Sequence, residues 1–258
     1  MEPERLAYCG PPPAPAELAA RWNLDPALLA AGAVCALLYI LAARARGTGR
    51  AERRAFGGGL AVALLAWVSP LCALGVALFS ARVAQHMVLA LVAAPLLALG
   101  WPARRASLRG GALRSAPAAC AAFAAASWLW HAPAPYDATL RSDLAYWAMH
   151  LSLLGSAVWL WRELLRPGAR AQLGGIALAA ATSVQMSLLG ALLTFAPAPL
   201  FESHLLTTAG WGLSPLEDQQ LGGLLLWVPG CSAFLLVAVG SFAVWLRTQG
   251  ELAGGANL

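Results

Sequence analysis

The sequence predicts an all-α fold: a polytopic membrane bundle of seven transmembrane helices, with the N-terminus outside and the C-terminus in the cytoplasm. Three observations lead there. Hydrophobic residues make up 60% of the 258 positions and charged residues only 11%, too few to clothe a water-soluble globule. Seven apolar runs approach the length needed to cross a hydrocarbon core of about 30 Å. All seventeen cations are arginines, and they crowd into every second connection between runs.

The runs cover residues 27–43, 57–79, 83–101, 116–131, 144–161, 173–195 and 221–246. Ala and Leu dominate them and β-branched residues are sparse. They are about twice as long as a barrel strand, so in lipid each backbone satisfies itself as a helix. The first run follows an acidic leader, residues 1–26, containing "GPPPAP"; its arginines come after the run, so it reads as a retained helix and not as a cleaved signal. The leader is expected to be a poorly ordered outer extension, followed by a membrane domain over 27–250 and a short cytoplasmic tail, 251–258. Pro70, Pro95 and Pro229 lie in the second, third and seventh runs, where each frees a backbone carbonyl and predicts a kink. Trp128 and Trp130 end the fourth run, and Trp159 and Trp161 end the fifth, as aromatic belts do. Ahead of the seventh run, "GLSPLEDQQLGG" offers Ser214 as N-cap, Pro215 in the first turn and Glu217 three residues on, a capping box.

Orientation follows from the arginines. Thirteen of the seventeen fall on one side: Arg44, Arg46, Arg50, Arg53, Arg54, Arg104, Arg105, Arg109, Arg114, Arg162, Arg166, Arg170 and Arg247. Arg5, Arg21, Arg82 and Arg141 remain for the other, which makes that side the outer one. Nine of the twelve acidic residues lie there too. The net charge of +5 is therefore a topology signal that suits the lipid bilayer and its anionic headgroups, with no nucleic-acid partner implied. A retinal-type protein is excluded, because without lysine no Schiff base forms.

This topology sets all four histidines on the outer side: His86 early in the third run, His131 ending the fourth, His150 in the fifth and His204 in the last outer loop. An ionisable side chain inside a span is costly enough to mark function, which singles out His86 and His150, with His131 beside them; His204 reads as a loop residue bonded to its surroundings. Met87 and Met149 adjoin two of the histidines. Asp137, Asp143 and Asp218 lie at the same level, and Gln185 and Met186 stand in the outer half of the sixth run. Imidazoles with thioethers and carboxylates within reach are transition-metal donors, and copper suits His and Met in both its oxidation states. Asp137 or Asp143 is expected to fix the His131 ring through its other nitrogen. The five cysteines, Cys9, Cys35, Cys72, Cys120 and Cys231, contain no C-x-x-C pair and indicate neither a thiolate metal site nor a disulfide framework. They read as small apolar residues, with Cys72 and Cys231 best placed for any redox or metal role.

Four stretches carry a family resemblance: "QHMVLALVAAPLLALGWP" at 85–102, "WHAPAPYDATL" at 130–140, "MHLSLLGSAVWLW" at 149–161 and "GLSPLEDQQLGGLLLWVPG" at 212–230. Together they resemble the multi-span CtaG family of cytochrome c oxidase assembly factors. The resemblance implies a protein that matures a haem-copper oxidase by handling copper at the outer face, in contact with oxidase subunits, as a binding protein and no enzyme. It carries over His86, His131 and His150 as metal positions, with Asp137 and Asp218 as the matching aspartates. Where the family pattern places a second histidine one turn before the first, this chain has Arg82. Two other readings stay open: a membrane haem protein with histidine axial ligands, and a metal or proton transporter using the same side chains.

Overall fold

In the computed structural model, residues 7–102, 112–166 and 169–255 are described. Glu2, Glu4, Arg5, Arg104, Arg105, Arg109 and the end of the tail lie outside them. The described residues form helices and no strand. Four helical stretches are long and apolar enough to cross a membrane: Pro26–Ala45, Phe79–Gly100, Leu173–Thr194 and Pro215–Arg247. A bent pair, Arg50–Val68 with Leu71–Ala77, makes a fifth.

Helix α1, Pro26–Ala45, buries only Leu28, Gly32, Tyr39 and Ala43, one stripe at helical spacing, and turns leucines outward around the rest. Helix α2 starts at Arg50, seven residues before its apolar run, because the Glu52 carboxylate accepts the Gly49 N–H at 2.6 Å. It ends at Val68: Ser69, which precedes Pro70, is driven to extended ψ, and α3, Leu71–Ala77, leaves at 46°. Extended Leu78 then separates α3 from α4, Phe79–Val88. The predicted second run is thus broken by a 46° bend after Val68.

Leu89–Ala93 forms a π turn between α4 and α5, Ala94–Gly100. Pro95 explains it, since the Ala90 carbonyl in an i→i+5 register faces the proline nitrogen, which has no hydrogen to give. The Trp161 indole Nε1–H donates to that carbonyl at 2.7 Å. Trp161 is therefore a buried hydrogen-bond donor, whereas the sequence placed it in an aromatic belt. Pro229, by contrast, leaves α10 assigned as one helix, Pro215–Gly255.

Helices α6, Ala112–Trp130, and α8, Asp143–Leu164, are joined by the short α7, Pro133–Thr139, which the apolar pattern did not predict. Helix α9, Ala169–Thr194, pairs along its length with α10. The core runs through Phe79, Val83, Met87, Phe123, Leu160, Met186, Leu226 and Phe234, drawn from α4, α6, α8, α9 and α10.

The leader is folded back onto the bundle. Its Tyr8 ring stacks on Tyr146, centroids 4.7 Å apart, its Tyr8 hydroxyl donates to Asp25, and Asn23 N–H bonds the Val68 carbonyl at 2.8 Å. Cys9 and Cys72 form a disulfide, Cα atoms 5.6 Å apart, across 63 residues of sequence. This corrects the reading of the cysteines as unpaired: no local spacing links two positions so far apart, and only the leader's return brings them together. The expectation of a loose outer extension gives way for the same reason over its described part.

Candidate metal centre

The three histidines singled out by the sequence converge. His86 comes from α4, His131 from the turn that ends α6, and His150 from α8. The His86 ring centroid lies 5.4 Å from that of His131 and 5.3 Å from that of His150, and all three rings are buried. Two imidazoles on one metal, with metal–nitrogen bonds of about 2.0 Å, have ring centres roughly 5–6 Å apart. His86, His131, Met87 and Met186 share the wall of a void of about 10 Å³, enough for one water or a monatomic ion. A haem macrocycle is far larger than that void.

The hydrogen bonds decide which nitrogens are free. Carbonyl oxygens only accept, so His131 Nδ1–H donates to Ser127 O at 2.7 Å, and Nε2 carries a lone pair with no partner. Neither ring nitrogen of His86 has a partner. His150 meets an acceptor oxygen at each end, Tyr146 O 3.1 Å from Nδ1 and Gln85 Oε1 3.2 Å from Nε2, and the single N–H of its neutral ring donates to one of them. Gln85 is itself pinned, its Nε2 donating to Ala66 O at 2.6 Å. The pair His86 and His131 is therefore open for a ligand, while His150 joins only if Gln85 yields. Accordingly, no three His, Cys, Asp or Glu side chains among the described residues form a ready-made metal cluster.

In both His131 and His150 the ring partner is the carbonyl four residues back on its own helix. The aspartates expected in that role act elsewhere. Asp137 Oδ1 accepts the Ser203 N–H at 3.3 Å and ties down the loop between α9 and α10; Asp143, at the start of α8, is exposed. Asp218, at the start of α10, accepts Phe79 N–H at 2.6 Å and Ser80 N–H at 3.1 Å, together with the Ser80 hydroxyl. Leu78, the residue in the N-cap position of α4, has no side chain to offer, so a carboxylate from another helix caps the helix that carries His86. Gly222 makes this approach possible: a Cβ there would come within 2.5 Å of the Phe79 ring. The capping box of the same motif is present, Ser214 N–H to Glu217 at 2.8 Å and Glu217 N–H to Ser214 Oγ at 3.3 Å.

Met87 lines the void, whereas fully buried Met149 packs with Cys72 and Tyr146. Gln185 faces a larger cleft of about 590 Å³ between α6 and α9, lined mainly by Ala and Gly. His204, read from the sequence as a loop residue, is buried and bonded through Nε2 to the Tyr136 hydroxyl at 2.7 Å. Sequence reasoning missed the weight of Arg82. Its guanidinium is fully buried, packs 5.1 Å from the Tyr146 ring centroid and reaches Gln85 Oε1 only at 3.5 Å; Nε and Nη2 have no partner. Among the described residues its charge meets no carboxylate. Gly75 leaves room for it, since a Cβ there would sit 3.1 Å from Nε. The signal was an arginine one turn before a histidine inside a span.

In comparison with protein families, the model of the cytochrome c oxidase caa3 assembly factor family (Caa3_CtaG) matches residues 36–248, a stretch that includes all three histidines. Neither the curated proteins nor the solved structures give a match.

Proposed function

The chain belongs to the cytochrome c oxidase caa3 assembly factor family, and on that premise we propose that it holds Cu(I) in transit to a haem-copper oxidase, as a binding protein and no enzyme. The observation that carries this reading is the buried, converging pair His86 and His131, with three ring nitrogens left without hydrogen-bond partners. An unpaired buried polar atom costs about 1–3 kcal/mol. A two-nitrogen site flanked by the thioethers of Met87 and Met186 suits a soft monovalent ion. His150 is a third donor in reserve behind Gln85. Arg82, one helical turn before His86, places a fixed positive charge nearby, which weakens cation binding and favours release over storage. Apart from Ser127, the rest of the void is closed by the apolar Leu89, Ala90, Phe123, Leu153 and Leu226, which supports holding over permeation.

Counting α6 and α8 with the five apolar stretches gives seven passes. The arginine distribution then sets the N-terminus and the histidine site at the outer face of the plasma (inner) membrane, where oxidase subunits are the partners. Asp137 and Asp218 support this site through the outer loop and α4, and Met149 through the packing beneath Tyr146.

The test is titration of the detergent-solubilised protein with Cu(I) in ascorbate, which keeps copper monovalent and leaves disulfides closed. One equivalent should bind, and His86→Ala and His131→Ala should each weaken it at least tenfold. Cells lacking the chain should lose oxidase activity and regain part of it with added copper. Unchanged copper affinity in both variants overturns the reading.

A further inference from the structure

A single ring, Tyr146, separates the histidines from a pair of sulfurs. Its centroid is 4.3 Å from that of His150, and its hydroxyl lies 3.3 Å from Cys72 Sγ and 3.6 Å from Cys9 Sγ. Asn23 Nδ2 points at Cys72 Sγ from 3.8 Å. Disulfide sulfurs carry no hydrogen, so both neighbours are donors directed at sulfur. Against the same Tyr146 ring lies Arg82, fully buried and without a carboxylate among the described residues. The thioether of Met149 is buried in the same cluster, with Cys9 packed against it. A disulfide that serves only as a staple needs neither hydrogen-bond donors nor an uncompensated guanidinium beside it. An anionic sulfur complex needs both.

We propose that Cys9 and Cys72, when reduced, form a second metal site: a dithiolate site for Cu(I), separate from the histidine pair and closed whenever the disulfide is intact. The proposal rests on the reading that the cargo is copper. Opening the site takes two electrons and two protons, supplied by an external dithiol. Its two sulfhydryl hydrogens pass to the Cys9 and Cys72 sulfurs as the bond between them breaks, and the reductant closes to its own disulfide. Cu(I) then displaces one proton from each thiol to solvent. The resulting complex carries one negative charge, which Arg82 offsets across Tyr146. Cys72 is fully buried and Cys9 half-buried, so Cys9 is the sulfur that an incoming thiol reaches first. Cys9 belongs to a turn of the leader and not to a helix, which lets the sulfurs separate from a bonded about 2 Å to the about 4.5 Å that two metal–sulfur bonds of about 2.3 Å require.

The experiment uses the full chain in detergent. Oxidised protein is compared with protein reduced anaerobically by a phosphine and then freed of it. Thiol counting should rise from the three free cysteines, Cys35, Cys120 and Cys231, by two. The reduced protein should bind one more Cu(I) than the oxidised protein, with a sulfur shell appearing in its copper X-ray absorption. Cys9→Ser should lose this added equivalent and keep the histidine-bound one; His86→Ala should do the reverse. Alkylating the two new thiols of the wild-type protein should block the gain in the same way, without a substitution. If reduction adds no copper, or if the gain survives in Cys9→Ser and after alkylation, the proposal is overturned. If the gain is present while oxidised protein binds none, the thiol site stands and the histidine reading alone fails.

Discussion

Asp218 offers the sharpest separation of a ligand from a scaffold residue. Its carboxylate holds two backbone N–H groups, those of Phe79 and Ser80, and the Ser80 hydroxyl, all buried at the start of α4. Asp218→Ala strands both N–H groups at about 1–3 kcal/mol each, so the expected destabilisation is about 4 kcal/mol. Asp218→Asn keeps one acceptor oxygen but sets an amide donor against the other N–H, and about 2 kcal/mol is expected. With a melting shift of about 2–4 °C per kcal/mol for soluble chains of similar size, the alanine variant should melt about 8–16 °C lower and the asparagine variant about half as far. Tryptophan fluorescence of the detergent-solubilised protein on heating measures this. Below its melting range each variant should bind Cu(I) within about threefold of wild type, because the cap positions α4 without touching the void. A variant that melts with the wild type yet no longer binds copper would refute the cap and make Asp218 a ligand.

Two further outcomes follow from the site's surroundings. Burial, reinforced by the charge of Arg82, pushes His204 down to about 4 from an ordinary 6.5. Its contribution to stability is therefore complete above pH 6.5 and is lost as the pH falls toward 4, because the unfolded chain takes up a proton that the folded one refuses. The slope is about 1.4 kcal/mol per pH unit, and melting curves in that window should show it reduced by about one proton in His204→Gln. Trp161→Phe strands the Ala90 carbonyl in the π turn and should cost about 1–3 kcal/mol, read as a lowered melting temperature; equal melting of the two proteins would mean that another donor reaches that carbonyl.

Much of this protein is legible in one dimension. Helical class and membrane character follow from composition and run length, because a backbone in hydrocarbon has few ways to satisfy itself. Four short motifs were enough to identify the family, and the capping box at Ser214 could be read because its partners are three residues apart. His86, His131 and His150 were legible as a group because runs expected to alternate in direction would put one end of the third, the far end of the fourth and the near end of the fifth at a common level.

What lay beyond the sequence concerns direction and distant partners. Which way an imidazole points depends on the azimuth of its helix, and the break at Ser69–Pro70, the extended Leu78 and the π turn at Leu89–Ala93 each change that azimuth by an amount no periodicity records. The aspartates were assigned to the metal because they share its level, yet level is only one coordinate: Asp218 turned out to face the end of α4 and Asp137 the loop at Ser203. Cys9 and Cys72 pair because a leader that lies outside every apolar run folds back over the bundle. The sequence by itself determined which elements form and which family they build, since those depend on neighbours along the chain. Tertiary structure alone decided that His150 meets Gln85, that Asp218 caps α4 and that Arg82 lies against the Tyr146 ring, since each of those pairs is tens of residues apart in sequence.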